Sequence, residues 1–199
     1  MENPALLLMV KNPIPGKTKT RLAADVGHDR ALEIYAELTR HTREQASGLT
    51  GITRYLYYSD FVDTADAWPS EAYIKLVQVG AGLGERMSVA FQRAFDRGHD
   101  RVVIIGSDCP GLTTDLLRES ISALARHDLV IGPATDGGYY LLGLRHPQPG
   151  LFSNMPWSTD SVAAETLRRA RVQALRVKEL PTLSDVDRLA DWEACPLYS

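Results

Sequence analysis

The sequence is poor in the features that mark several large protein classes. It has two cysteines, Cys109 and Cys195, far apart in 199 residues. Two such residues build no disulfide framework, and their scarcity points to a reducing compartment. No apolar run approaches the roughly 18 residues of a bilayer-spanning helix. Met1-Glu2-Asn3-Pro4 lacks the basic start of a secretory leader, so a cytoplasmic location is expected. The formal net charge is −3, which argues against nucleic acid as a partner. The five histidines show no metal-ligand spacing. There is no internal repeat, low-complexity stretch or linker between two cores, so residues 1–199 read as a single domain.

What is present is an alternation of strands and helices. Apolar runs predict strands at Ala5–Val10, Ile52–Tyr58, Tyr73–Val79, Arg101–Ile105 and Leu129–Ile131, with a short one at Ala174–Val177. Helical spacing predicts helices from about Asp29 to Ala46 and from Gly84 to near Gly98. A third, capped at Thr113-Thr114-Asp115, runs to near His127; others cover Ser158–Arg171 and Ser184–Trp192. Tyr139–Leu144 follows its predecessor after only a short Gly-rich turn. That connection is too short for a parallel crossover, so this strand is expected to run antiparallel to a neighbour. The sum is an α/β fold with a mostly parallel, mixed sheet.

The most informative segment follows the first strand. Lys11-Asn12-Pro13-Ile14-Pro15-Gly16-Lys17-Thr18-Lys19-Thr20-Arg21 carries three lysines and an arginine. Open α/β sheets bind ligands at the carboxyl edge of their strands, where this loop lies. Gly16-Lys17-Thr18 is not a Walker A motif, because Lys11 stands where its first glycine belongs. The prolines stiffen the loop, and Gly16 permits close backbone approach to a ligand. Lys11, Lys19 and Arg21 are candidate phosphate contacts, the last able to form a bidentate clamp. The alternative is a solvated basic turn.

Three further elements carry polar chemistry. Gly80-Ala81-Gly82-Leu83-Gly84 opens a helix and falls one residue short of the dinucleotide fingerprint. Gly82 reads either as part of a flexible ligand loop or as a tight turn. Asp108, in Gly106-Ser107-Asp108-Cys109-Pro110-Gly111, ends a buried strand and can ligate Mg²⁺ or Mn²⁺; Gly106 leaves room for a base or ribose. Its alternative is a turn-forming aspartate. Asp136, between Gly132 and Gly137-Gly138, is a second candidate metal ligand and a candidate catalytic base, or an ordinary hairpin aspartate. Trp157 walls an acceptor pocket or packs in the core. In Ser184-Asp185-Val186-Asp187, helix capping by Ser184 or Asp185 is favoured over a metal or acceptor contact. Cys109 has no histidine partner nearby that would make it a nucleophile.

Taken in order, these motifs resemble a bacterial family of GT-A-like glycosyltransferases that includes members linked to arsenosugar biosynthesis. The segments concerned are Lys11–Leu22, Gln78–Met87, Gly106–Leu112, Gly132–Tyr140, Trp157–Thr159 and Asp185–Asp187. That family is similar in turn to molybdenum-cofactor and phospholactate guanylyltransferases. The resemblance implies a three-layer α/β/α nucleotide-diphospho-sugar transferase-like fold, with the nucleotide over the amino-terminal half of the sheet. It implies phosphate contacts from Lys11, Lys19 and Arg21, metal binding at Asp108, and a metal or acceptor role for Asp136. One departure is plain: many such enzymes carry Asp-x-Asp at the metal position, whereas here it is Asp108-Cys109-Pro110. The expected activity is glycosyl transfer from a nucleotide sugar to a small-molecule acceptor. The alternatives are nucleotidyl transfer from a nucleoside triphosphate, and nucleotide binding without turnover.

Overall fold

A computed structural model of the chain describes residues 2–197. Its strands are β1 (Pro4–Val10), β2 (Thr53–Tyr58), β3 (Ile74–Val77), β4 (Arg101–Ile105), β5 (Leu129–Pro133), β6 (Tyr139–Leu144) and β7 (Val177–Glu179). Its helices are α1 (Thr20–Val26), α2 (His28–Ser47), α3 (Leu83–Asp96), α4 (Thr114–Ala123), α5 (Val162–Val172) and α6 (Leu189–Glu193). The strands form one sheet in the order β3-β2-β1-β4-β6-β5-β7. β6 is antiparallel to both β4 and β5, as its short connection predicts, and the other pairings are parallel.

Alternation along the central strands sends side chains to two cores. Leu6, Leu8 and Val10 of β1 join Ala46 of α2 and Leu117 of α4 on one face. Ala5 and Leu7 join Met87, Ala90 and Phe91 of α3 with Ala163 and Ala170 of α5 on the other. This double covering explains why Ala5–Val10 of β1 and Val102–Ile105 of β4 are apolar. A third cluster packs Leu22 of α1 against Ile34 and Leu38 of α2, Val186 and Trp192.

The departures from the sequence reading are local. α1 was not expected; its N-cap, Lys19, adopts left-handed backbone (φ 53°), which breaks the pattern just before the helix. α4 stops at Ala123, and α5 starts at Val162, after Ser158 takes positive φ. Ala174 (φ 53°) closes α5, with the Leu175 amide donating to the Ala170 carbonyl, so β7 begins three residues later than expected. The Ser184–Trp192 helix is only Leu189–Glu193, capped by Arg188. Residues before it are extended because their backbone groups bond elsewhere: Leu183 bridges Ala134, and the Val186 amide donates to the Asp108 carbonyl.

Trp157 is held by an absence of bulk. A Cβ on Gly84, in the first turn of α3, would lie 2.2 Å from the indole Nε1. Trp157 also meets Tyr139 edge-on at 6.5 Å, so it packs beneath the start of α3 rather than walling the cleft described below. Gly84→Ala is expected to lose about 2–3 kcal/mol of stability by overpacking this contact, measurable by chemical denaturation.

Candidate active site

A cleft of about 600 Å³ opens at the carboxyl ends of β1 and β4. The chain leaves β1 toward β2 on one side and meets β4 on the other, which is where open α/β sheets place ligands. Lys11, Lys19, Arg21, Gly106 and Asp108 all line it, so the cationic loop and the first acidic turn converge. Gly16, Gly82 and Asp136 do not line it. Gly16 (φ 77°) shapes the loop, and Gly82 is the N-cap of α3.

The loop is fixed mainly by Asn12, which is buried. Its Oδ1 accepts from the Asp60 and Phe61 amides (3.0 and 3.3 Å), and its Nδ2 donates to the Phe61 carbonyl (3.0 Å). The Asn12 carbonyl accepts from the Thr18 hydroxyl at 2.6 Å. Tyr35 of α2 fastens the other side. Its hydroxyl accepts from the Lys11 amide (2.9 Å) and lies 3.1 Å from Ser107 Oγ, joining the β1 and β4 loops. Burial raises its pKa to about 12, a shift that the Ser107 bond opposes, so it remains a phenol.

Lys19 organises the centre. It is only 8 % exposed. Its Nζ donates to Asp108 Oδ2 (2.9 Å) and the Val186 carbonyl (2.6 Å), and Asp187 Oδ1 lies 3.5 Å away. Burial is the largest influence and opposes its charge, yet Asp108, Asp187 and Asp185 together outweigh it and hold its pKa above the ordinary lysine value. Arg21, exposed, pairs with Asp187 Oδ2 at 3.0 Å. The left-handed backbone of Lys19 costs about 1 kcal/mol and is held in place by these three partners.

The capping role expected for Asp185 is overturned, since no helix begins there. Its Oδ1 is buried without a hydrogen-bond partner. Burial, then the charge of Asp108, raises its pKa to about 7, with Lys19 opposing and Asp136 and Asp187 adding. Asp187 lines the cleft. Asp185 and Asp187 form an Asp-x-Asp pattern visible in sequence, and of the two only Asp187 is among the residues lining the cleft with Asp108. Asp136 is exposed, and its Oδ1 accepts from the Gly138 amide at 2.8 Å within its own turn. A Cβ on Gly106 would sit 3.1 Å from Asp108 Oδ1, so the glycine leaves that carboxylate room.

With this geometry in view, likeness to known proteins becomes informative. A family model described as "Uncharacterized protein conserved in bacteria (DUF2064)" matches residues 42–159, more than half of the chain. The chain belongs to this family. A protein of Desulfovibrio desulfuricans G20, described provisionally as a nucleotide-diphospho-sugar transferase, has a crystal structure with a TM-score of 0.87. It is 33 % identical, over 100 % of this chain and 93 % of that one. Phosphoenolpyruvate guanylyltransferase of Sphaerobacter thermophilus is 26 % identical over 180 residues, 86 % of each chain. A CMP:2-keto-3-deoxy-manno-octonic acid synthetase complexed with CTP shares the fold at a TM-score of 0.55, with 13 % identity over 96 % of each chain. These likenesses carry the coarser half of the sequence resemblance: a nucleotide-diphospho-sugar transferase-like fold within a transferase family.

The buried Asp185 carboxyl makes stability depend on pH. Its folded pKa lies above the ordinary value of about 4, so the folded state holds a proton that the unfolded chain has released. The stability this provides is full below pH 4 and is lost as pH rises through 7. Asp185→Asn removes the penalty. In metal-free buffer at pH 8 it is expected to stabilise the protein by on the order of 1–3 kcal/mol, and by little at pH 4. Thermal melts across that range check both the sign and the slope.

Proposed function

We propose that this chain is a metal-assisted nucleotidyltransferase. It joins the nucleotidyl group of a nucleoside triphosphate to an oxygen of a small acceptor and releases pyrophosphate. The observation that carries this reading is the gathering of Lys19, Arg21, Asp108 and Asp187 at one cleft, with the buried Asp185 within electrostatic reach of Asp108 and Lys19. The guanylyltransferase relative supports it.

A divalent cation fits these residues. The buried Asp185 oxygen lacks a donor, and Asp108 is close enough to raise its pKa. Among the described residues, no group of three or more His, Cys, Asp or Glu is arranged to hold a metal. Mg²⁺ in nucleotide sites commonly takes one or two carboxylates and draws the rest from water and phosphates. Asp108 and Asp185 would hold Mg²⁺ or Mn²⁺ here, and the ion would stabilise charge on the phosphate oxygens.

The remaining chemistry falls to the cationic loop. As the acceptor oxygen bonds to the α-phosphorus, the bond from phosphorus to the bridging oxygen breaks, and its electron pair leaves with pyrophosphate. Lys19, kept protonated by its carboxylate neighbours, supplies fixed positive charge near that leaving group. Arg21 offers a planar fork for phosphate oxygens at the cleft mouth. An acceptor already ionised at neutral pH needs no general base, so Asp136 has no required part in this reaction.

Glycosyl transfer remains as the second reading, favoured by the Desulfovibrio desulfuricans likeness. The same loop would then bind the departing nucleoside diphosphate. Incubation with each nucleoside triphosphate, Mg²⁺ or Mn²⁺, and a panel of phosphorylated and carboxylated acceptors is expected to release pyrophosphate. Nucleoside diphosphate released from sugar donors, with no pyrophosphate from any triphosphate, would transfer the assignment to glycosyl transfer. Arg21→Ala is expected to weaken nucleotide binding about tenfold by calorimetry; unchanged affinity would remove Arg21 from the reaction.

A further inference from the structure

Arg86 is a cleft cation that the phosphate cluster leaves unused. It lies in the first turn of α3 and lines the same cleft as Lys19 and Asp108. Its guanidinium is held rather than loose. Nε donates to the Gly80 carbonyl at 3.1 Å, and Nη1 donates to Gln78 Oε1 at 3.3 Å. Gln78 is anchored in turn, its Nε2 donating to the carbonyls of Val10 (3.1 Å) and Tyr57 (3.0 Å) at the ends of β1 and β2. Gly80 is shaped for the contact: its φ is 142°, and a Cβ there would sit 2.8 Å from the Arg86 amide nitrogen.

The positive charge, in contrast, is unmatched. Among the described residues Arg86 has no ion pair, whereas Lys19 and Arg21 are paired to Asp108 and Asp187. The adjacent Glu85 turns away and accepts from the Ala81 amide at 2.8 Å. Two of the five guanidinium N–H groups are spent on Gln78 and Gly80, which leaves three to donate. Met9, Leu83, Met87 and Tyr139 line the same cleft and lower the local polarity. A half-buried, oriented guanidinium in such surroundings favours an oxyanion that offers two oxygens, a carboxylate or a phosphate.

Resting on the transferase reading above, we infer that Arg86 is the recognition site for the acceptor, and that the acceptor carries a carboxylate or phosphate. Gln78 is its positioning residue. Arg86 belongs to the acceptor rather than to the nucleotide because the two charge sets arise on opposite faces of the sheet. α3 packs into the core that contains Phe91 and Ala163, whereas α1 packs on α2, whose far end joins the opposite core. A substrate held at both would lie across the cleft, its anion on Arg86 and its partner's phosphates on Lys19 and Arg21.

Calorimetric titration of inorganic phosphate into protein saturated with Mg²⁺ and a non-hydrolysable nucleoside triphosphate tests this, because the nucleotide then fills the Lys19–Arg21 wall. The wild type is expected to bind phosphate under these conditions. Arg86→Gln should weaken that binding at least about tenfold and Arg86→Lys about threefold, while nucleotide affinity changes less than about twofold. Retained nucleotide affinity also certifies that the variants fold. Phosphate binding that is absent from the wild type, or unchanged in Arg86→Gln, overturns the inference. Loss of nucleotide affinity in Arg86→Gln assigns Arg86 to the nucleotide and overturns it equally. Should no nucleotide bind the wild type, the transferase reading fails on its own. The phosphate titration without nucleotide, with thermal melts as the folding control, then still decides whether Arg86 holds an oxyanion.

Discussion

The Lys19 ammonium group ties three distant stretches of chain into one cleft. Its partners are the Asp108 carboxylate just past β4, the Asp187 carboxylate and the backbone carbonyl of Val186 beside it. A buried ammonium without such partners would be expensive, and a cluster of carboxylates without it would repel itself. Each side of the arrangement therefore makes the other tolerable. The Val186 amide adds a direct bond to the Asp108 backbone, so the two acidic segments stay in register even apart from the side chains.

From this constraint the division of the cleft follows. Lys19, Arg21, Asp108, Asp185 and Asp187 make a compact wall in which charges of both signs nearly balance. Asp185 Oδ1 is buried without a donor, which is where the balance is incomplete. On the α3 side the excess is opposite in sign, since Arg86 meets neutral amide and carbonyl oxygens alone. A site with a deficit of cation on one wall and a deficit of anion on the other is suited to two ligands of different character.

Much of the fold was readable because the strongest signals were local. β4 and β6 fall where their apolar runs predict, and the short turn before β6 correctly implied its direction. The cationic loop and Asp108 converge as their shared sheet edge implied. The segment at 184–187 was misread for a physical reason. Ser-Asp ahead of a helix has the composition of a cap, and nothing nearby reveals that its backbone bonds to the Asp108 turn after β4 and the Asp187 carboxylate to Lys19. α1 was hidden by the left-handed residue that starts it. Asp136, flanked by glycines, looked like a cleft residue, but its side chain closes its own turn.

The bond from Lys19 to the Val186 carbonyl spans 167 positions of sequence. Closing so large a loop is costly in entropy, and a contact of that range forms only once both ends are available. During synthesis on the ribosome, the sheet strands β1 to β4 could pair while the Lys19 side chain still lacked two of its three acceptors. The cleft is thus complete only once residues 186 and 187 have been made, long after the loop that carries Lys19.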